Sequence, residues 1–251
     1  MSKITFSDLV RVGTYRAGRL LGNTDYTPFI ILSRSRSGSN LLNSSLGSHP
    51  NVHVKGEHFG HIGQDTIEKR HAQVFGKQPS WIKAAGCKVF YYHPHHGDPA
   101  PLFDMLKADP RLKVIHLKRE DELRSVLSWM IARENNTYTA TSDASVIAAD
   151  DKRQTVDPDE MIDWIEKTVN WEAWGDTFFS DRETVTVTYE DMTADLPGQF
   201  TRVLDYLYLH AHTPQSRLRR QNPEPVEELI ANWPEVRDRL HERGFDRFIP
   251  A

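Results

Sequence analysis

The sequence predicts an α/β fold: one domain with a central, mostly parallel sheet flanked by helices. Three observations point there. Short apolar runs of strand length stand at 29–32, 87–92 and 113–117. After the first and third, apolar residues recur at helical spacing. Finally, 251 residues are enough for one large core. Strands alternating with helices imply parallel pairing, with ligands bound outside the carboxyl ends of the strands.

Residues 1–27 read as an N-terminal helical extension. Within it, residues 4–21 form an amphipathic pattern with Arg11, Arg16 and Arg19 on the polar side. Such a helix packs on the domain, with peripheral membrane contact as the alternative. Phe29–Leu32 is the first strand. A small-residue loop follows, and Leu41, Leu42 and Leu46 then mark a helix that Gly47 can end. Cys87–Tyr92 and Lys113–Leu117 are the next strands, the latter followed by Leu123, Val126, Leu127, Met130 and Ile131 on one helical stripe. Residues 134–156 are polar and weakly periodic, a candidate lid or acceptor loop. Asp157, Pro158 and Glu160 supply an N-cap, a first-turn proline and a capping-box glutamate for a helix carrying Ile162, Ile165 and Val169. Thr184–Tyr189 alternates as a strand, and Phe200, Val203, Leu204 and Leu207 mark the helix after it.

Composition narrows the function. A net charge of −4 argues against a general nucleic-acid binder, so any anion site is local. The single cysteine, Cys87, excludes an intramolecular disulfide. No run approaches the ~18 apolar residues of a membrane span, and the N-terminus lacks the apolar core of a signal peptide. A cytoplasmic protein is expected.

The loop Arg36-Ser37-Gly38-Ser39-Asn40 has the layout of an anion cradle. Backbone N–H groups entering a helix converge on an anion, Gly38 permits close approach, the polar side chains add donors, and Arg36 can neutralise charge. An ordinary turn capped by Ser39 is the plainer reading. A P-loop kinase or hydrolase needs G-x-x-x-x-G-K-[ST]. This loop ends R-S-G-S-N, which favours a phosphate donor handled without a metal.

Four segments in order resemble the sulfotransferases that use 3′-phosphoadenosine 5′-phosphosulfate (PAPS), in the bacterial carbohydrate, nodulation-factor and trehalose branch. They are PFIILSRSRSGSNLLNSSLGSHPNV, GEHF at 56–59, KVIHLKREDELRSVLSWMIA at 113–132 and VTVTYEDMTADLPGQFTRVLDYL. The resemblance implies a P-loop-like sulfotransferase fold and PAPS as co-substrate, with no metal. It also implies a hydroxyl acceptor, a carbohydrate or glycolipid. Arg36 to Asn40 would hold the 5′-phosphosulfate. Arg119, with Ser128 on the next helix, would hold the 3′-phosphate; spacing alone leaves Ser125 open. Arg36 is the candidate cation at the leaving oxygen, Glu57 the candidate base and His58 its alternative.

Tyr189 aligns with an adenine contact of cytosolic members, and Leu41 stands where those carry an adenine-stacking tryptophan. Lys88 is expected to line the acceptor or phosphate site. Arg217, Arg219, Arg220 and Gln221 would close over the donor. A small-molecule kinase of related fold and a non-catalytic nucleotide binder are the alternatives. His93, His95 and His96 read as a loop without a full metal-ligand set, His49 as part of a turn, and Trp164, Trp171 and Trp174 as core.

Overall fold

The computed structural model describes residue 15 and residues 17–136, 149–216 and 221–250. Strands β1 (Thr27–Ser33), β2 (Val52–Lys55), β3 (Ala84–Phe90), β4 (Lys113–Lys118) and β5 (Thr184–Thr188) form one sheet in the order β2-β3-β1-β4-β5. Every pairing is parallel. From the central β1 the chain runs first to the outer β2, returns through β3 beside β1, then crosses to β4 and β5. The carboxyl end of β1 is therefore the point where the winding reverses and a crevice opens.

β1 is buried along nearly its whole length, as the run Phe29-Ile30-Ile31-Leu32 demands of a central parallel strand. Its two faces feed different layers. Phe29 and Ile31 pack with α1 (Ser39–Ser48) and with Phe200, Val203 and Leu204. Ile30 and Leu32 pack with Phe59, Val74, Leu102, Phe103 and Phe179. Burying each such side chain contributes roughly 1.5–3 kcal/mol.

Several elements were not legible from pattern. β2, α2 (Ile67–Phe75, capped by Thr66) and α3 (Ala100–Ala108) fill the gap between the first two predicted strands and the third. β3 lies three residues earlier than the 87–92 run. Ala84, Ala85 and Gly86 have little strand preference of their own, yet pair with β1 on one side and β2 on the other. A Cβ at Gly86 would sit 2.2 Å from the Phe29 carbonyl oxygen, so the close strand approach requires glycine. Gly47 lies inside α1, which ends at His49. There the His49 Nδ1 accepts the Asn51 N–H (3.1 Å) and Nε2 bonds the His210 carbonyl (3.2 Å), a turn role as expected.

α6 (Pro158–Phe178) follows its predicted cap, Asp157 accepting from the N–H groups of Asp159 and Glu160, and α4 (Glu122–Glu134) is capped by Asp121, which accepts from the Arg124 N–H. Between them lies α5 (Ala149–Lys152). Tyr189 is not the end of β5. Thr188 caps a new short helix, α7 (Tyr189–Ala194), that precedes α8 (Leu196–Tyr206). α9 (Val226–Leu229) and α10 (Trp233–Glu242) complete a second cluster with α4 and α6, through Leu127, Ile131, Ile162, Ile165 and Leu240. Of the expected N-terminal extension, residues 1–14 and 16 lie outside the described residues, as do 137–148 of the expected lid. Among the described residues no helix is long and apolar enough to cross a membrane.

Candidate active site

The loop after β1 folds as an open anion cradle. Gly38 is the N-cap of α1 at φ 87, no side chain caps the helix, and no acidic residue stands in its first turn. Ser39 is therefore not the capping residue of an ordinary turn. The first N–H groups of α1 are left facing the crevice with the positive end of the helix dipole. The Ser37 hydroxyl donates to the Arg34 carbonyl (2.8 Å), bracing the loop from inside. Arg36 holds a left-handed φ of 70, a strained state for a side-chain-bearing residue. Arg119 Nη1 donates to its carbonyl (2.9 Å) and holds it there.

Two cavities meet at Arg36. The larger, about 860 Å³, is lined by Arg34, Ser35, Arg36, Ser39, Asn40, Glu57 and Lys88 at one end, and by Tyr92, Trp129, Trp164 and Trp171 at the other. The smaller, about 10 Å³, lies between Arg36, Ser128, Ile131, Ala132, Lys152, Gln221 and Asn222. Arg36 Nε donates to Ser128 Oγ (2.9 Å), and its Nη2 to Gln221 Oε1. Asn222 Nδ2 also donates to Ser128 Oγ (3.0 Å), and Lys152, almost fully buried, bonds the Gln221 carbonyl and Glu224 Oε1 (2.8 Å).

Sequence spacing left Ser125 and Ser128 open; the structure gives each its own arginine, Ser128 to Arg36 and Ser125 to Arg34 (Oγ to Nη1, 3.5 Å). Arg119 faces the same loop, its guanidinium 4.6 Å from the Tyr189 ring centroid. Tyr189 packs beneath Gly38, where a Cβ would come within 2.5 Å of the ring. Leu41 packs against the core and does not line either cavity. Arg220, with Arg217 and Arg219, lies outside the described residues.

Glu57 follows β2 and reaches the large cavity, its side chain 41% exposed, with Lys88 Nζ 3.1 Å from Oε1. Lys88 is buried on β3 and also donates to Asn40 Oδ1 (2.5 Å). Burial pushes its pKa down, and the Glu57 carboxylate opposes that fall. His58 turns the other way. Its ring packs edge-on against Phe59, burial lowers its pKa, and it lines neither cavity.

The histidine loop lies closer to the site than the sequence suggested. Ligand-capable atoms of Glu57, His93 and His95 lie within 4.8 Å of one another, so a carboxylate does join the histidines. The tautomer decides what His93 can offer. Its Nδ1 accepts the Phe90 N–H (3.1 Å), and burial drives its pKa down to about 3, so the ring is neutral and its proton sits on Nε2. In this arrangement neither ring nitrogen presents a free lone pair, and the Glu57 carboxylate is engaged by Lys88. His93 in this tautomer is therefore not a ligand.

Trp164 and Trp171 correct the expectation of a core tryptophan group: both line the large cavity, whereas Trp174 packs on Phe103 and Phe178. Arg34, Lys152 and Asn222 were missed altogether. The doubly basic SRSRSG was a signal for Arg34; nothing local marks the other two.

No protein-family profile matches the chain. Its fold is similar to that of a sulfotransferase from Alicyclobacillus acidocaldarius, with a TM-score of 0.50 and 17% identity, covering 86% of this chain and 94% of that one. The class is thus an α/β protein of P-loop-like sulfotransferase fold. In sequence the chain is 25% identical over 244 residues to nodulation protein H of Rhizobium meliloti (88% of this chain, 94% of the relative). It is 24% identical over 228 residues to nodulation protein H of Rhizobium tropici (84% and 88%). These matches bear out the resemblance to the sulfotransferase family and its bacterial nodulation-type branch.

Proposed function

We propose that the protein is a transferase that moves a sulfuryl group from PAPS to a hydroxyl of a carbohydrate or glycolipid. The observation that carries this reading is the meeting of two basic cavities at Arg36, only one of which also holds a carboxylate and an aromatic wall. A nucleotide with phosphates at both 3′ and 5′ positions needs two anion sites held apart, and the cradle of residues 36–40 and the Arg36–Ser128–Arg119 group supply them.

In the reaction, an acceptor oxygen attacks sulfur in line. The bond from sulfur to the 5′-phosphate oxygen breaks, its electron pair leaves with 3′,5′-ADP (PAP), and the hydroxyl proton passes to Glu57. Arg36 and the α1 N–H groups neutralise charge on the leaving phosphate. Lys88 holds Glu57 toward the cavity while tying it to Asn40 of the cradle. Trp129, Trp164 and Trp171 offer flat apolar faces to the C–H side of a sugar ring, and the neighbouring polar groups suit its hydroxyls.

Thermal-shift measurements test the donor. Stabilisation by PAP but not by ATP with magnesium supports the reading; the reverse would make the protein a kinase. Mass spectrometry of products formed from PAPS and a panel of glycans and glycolipids then identifies the acceptor.

A further inference from the structure

We propose that Arg34 is the oxyanion-binding arginine for the sulfuryl group itself, a role separate from the phosphate grip of Arg36. The inference rests on the sulfotransferase reading and adds to it a residue that the loop motif does not mark.

Arg34 is the first residue after β1 and only 3% exposed, yet it lines the large cavity beside Ser35, Asn40, Glu57 and Lys88. Its hydrogen bonding is incomplete. Nε is buried without an acceptor, and Nη1 makes only the 3.5 Å contact to Ser125 Oγ. Nη2 has no hydrogen-bond acceptor among the described residues, and the side chain borders the large cavity. A guanidinium held out of water in this state is costly unless an anion completes it.

The other cations of the cavity are differently engaged. Arg36 points to Ser128 and Gln221, Lys88 is shared between Glu57 and Asn40, and Lys167 lies 4.9 Å from the Trp164 ring centroid.

Glu122 and Glu172 attract the Arg34 guanidinium but neither hydrogen-bonds it. Glu122 is buried close by, but both its oxygens lack a donor, and it bonds Glu172 only when the two carboxyls share a proton. No carboxylate lies within ion-pairing distance of Arg34 among the described residues. The anion that the proposed reaction brings into this cavity, beyond the phosphate on the cradle, is the terminal sulfuryl group. Its non-bridging oxygens match a planar fork of N–H donors.

The test compares affinity for PAPS with affinity for PAP, measured by calorimetry with no acceptor present, in the wild type, Arg34→Gln and Arg34→Lys. Because PAP lacks the sulfuryl group, Arg34→Gln should keep wild-type PAP affinity, lose the advantage of PAPS over PAP, and lower turnover about 100- to 1,000-fold, as loss of an oxyanion donor does. Arg34→Lys should recover part of both. Equal losses for PAP and PAPS, or unchanged turnover, would overturn the role. If Arg34→Gln does not fold, wild-type protein saturated with PAP serves instead: it should bind inorganic sulfate, and failure to do so overturns the inference. A wild type that binds neither nucleotide fails the sulfotransferase reading itself, an outcome distinct from a normal Arg34→Gln enzyme.

Discussion

Lys88 Nζ stands 3.1 Å from Glu57 Oε1 and 2.5 Å from Asn40 Oδ1, so one buried cation joins the candidate base to the anion cradle. The link sets what each substitution should do. Glu57→Gln keeps an oxygen for Lys88 but removes the basic carboxylate, so turnover should fall about 10²- to 10⁴-fold. PAP affinity, read by calorimetry, should stay unchanged. His58→Asn should retain near-wild-type turnover, because the His58 ring lines neither cavity. The opposite pattern would make His58 the base.

Arg119 acts on the same loop twice, through its bond to the Arg36 carbonyl and through the Tyr189 ring that packs beneath Gly38. Arg119→Ala should weaken PAP binding by about 1.5–3 kcal/mol, the cost of a lost charged hydrogen bond. Ser128→Ala should weaken PAP measurably, and Ser125→Ala should not. Equal effects of the two serines would remove the division between Arg36 and Arg34.

Gly38 has both a left-handed φ and no room for a methyl group, since a Cβ would lie 2.5 Å from Tyr189 Cδ2. Gly38→Ala should cost about 1–3 kcal/mol of stability through backbone strain alone. Displacing Tyr189 would also disturb Arg119, whose guanidinium stacks on that ring. Urea unfolding and PAP titration read the two losses separately, and a variant matching wild type in both would show that the loop tolerates a side chain here.

Much of this was legible because it is local. The β1 run, the R-S-G-S-N loop, the cap at Asp157 and the glutamate of GEHF all announce themselves within a few residues. What was missed arises from contacts between distant segments. Ala84-Ala85-Gly86 becomes strand because two neighbours pair with it. Gln221 and Asn222 reach Arg36 and Ser128 across more than ninety positions. Two arginines two residues apart diverge to different serines because Arg36 takes a left-handed turn that Arg34 does not. Glu57 meets His93 and His95 only because β2 and β3 are neighbours.

That histidine cluster carries its own prediction. With Nδ1 of His93 bonded to the Phe90 N–H and the proton on Nε2, chelation has nothing to remove. Protein dialysed against EDTA should keep full turnover, and added zinc should leave the melting temperature unchanged. Loss of activity restored by a divalent metal would show that the ring changes tautomer to ligate.

The buried carboxyl pair makes stability depend on pH. Desolvation, and then repulsion from Glu172, pushes Glu122 up to about 8, while burial pushes Glu172 up to about 6. Both ionise near their ordinary value of about 4.5 once the chain unfolds. At these two sites the folded state holds more protons than the unfolded one between pH ~4.5 and ~8, so their contribution to stability falls as pH rises through that window, whereas the neutral, desolvated His53, His93 and His116 contribute in the opposite sense below pH ~6.5. Arg34 and Arg119 pull Glu122 the other way, and Lys118 does the same for Glu172, without cancelling the cost of burial. Glu122→Gln removes the ionising group and gives Glu172 a permanent amide donor. Glu122→Gln should raise the urea midpoint above that of the wild type at pH 8 and leave it close to the wild-type value at pH 5. A variant no better than the wild type at pH 8 would mean that the two carboxyls share no proton.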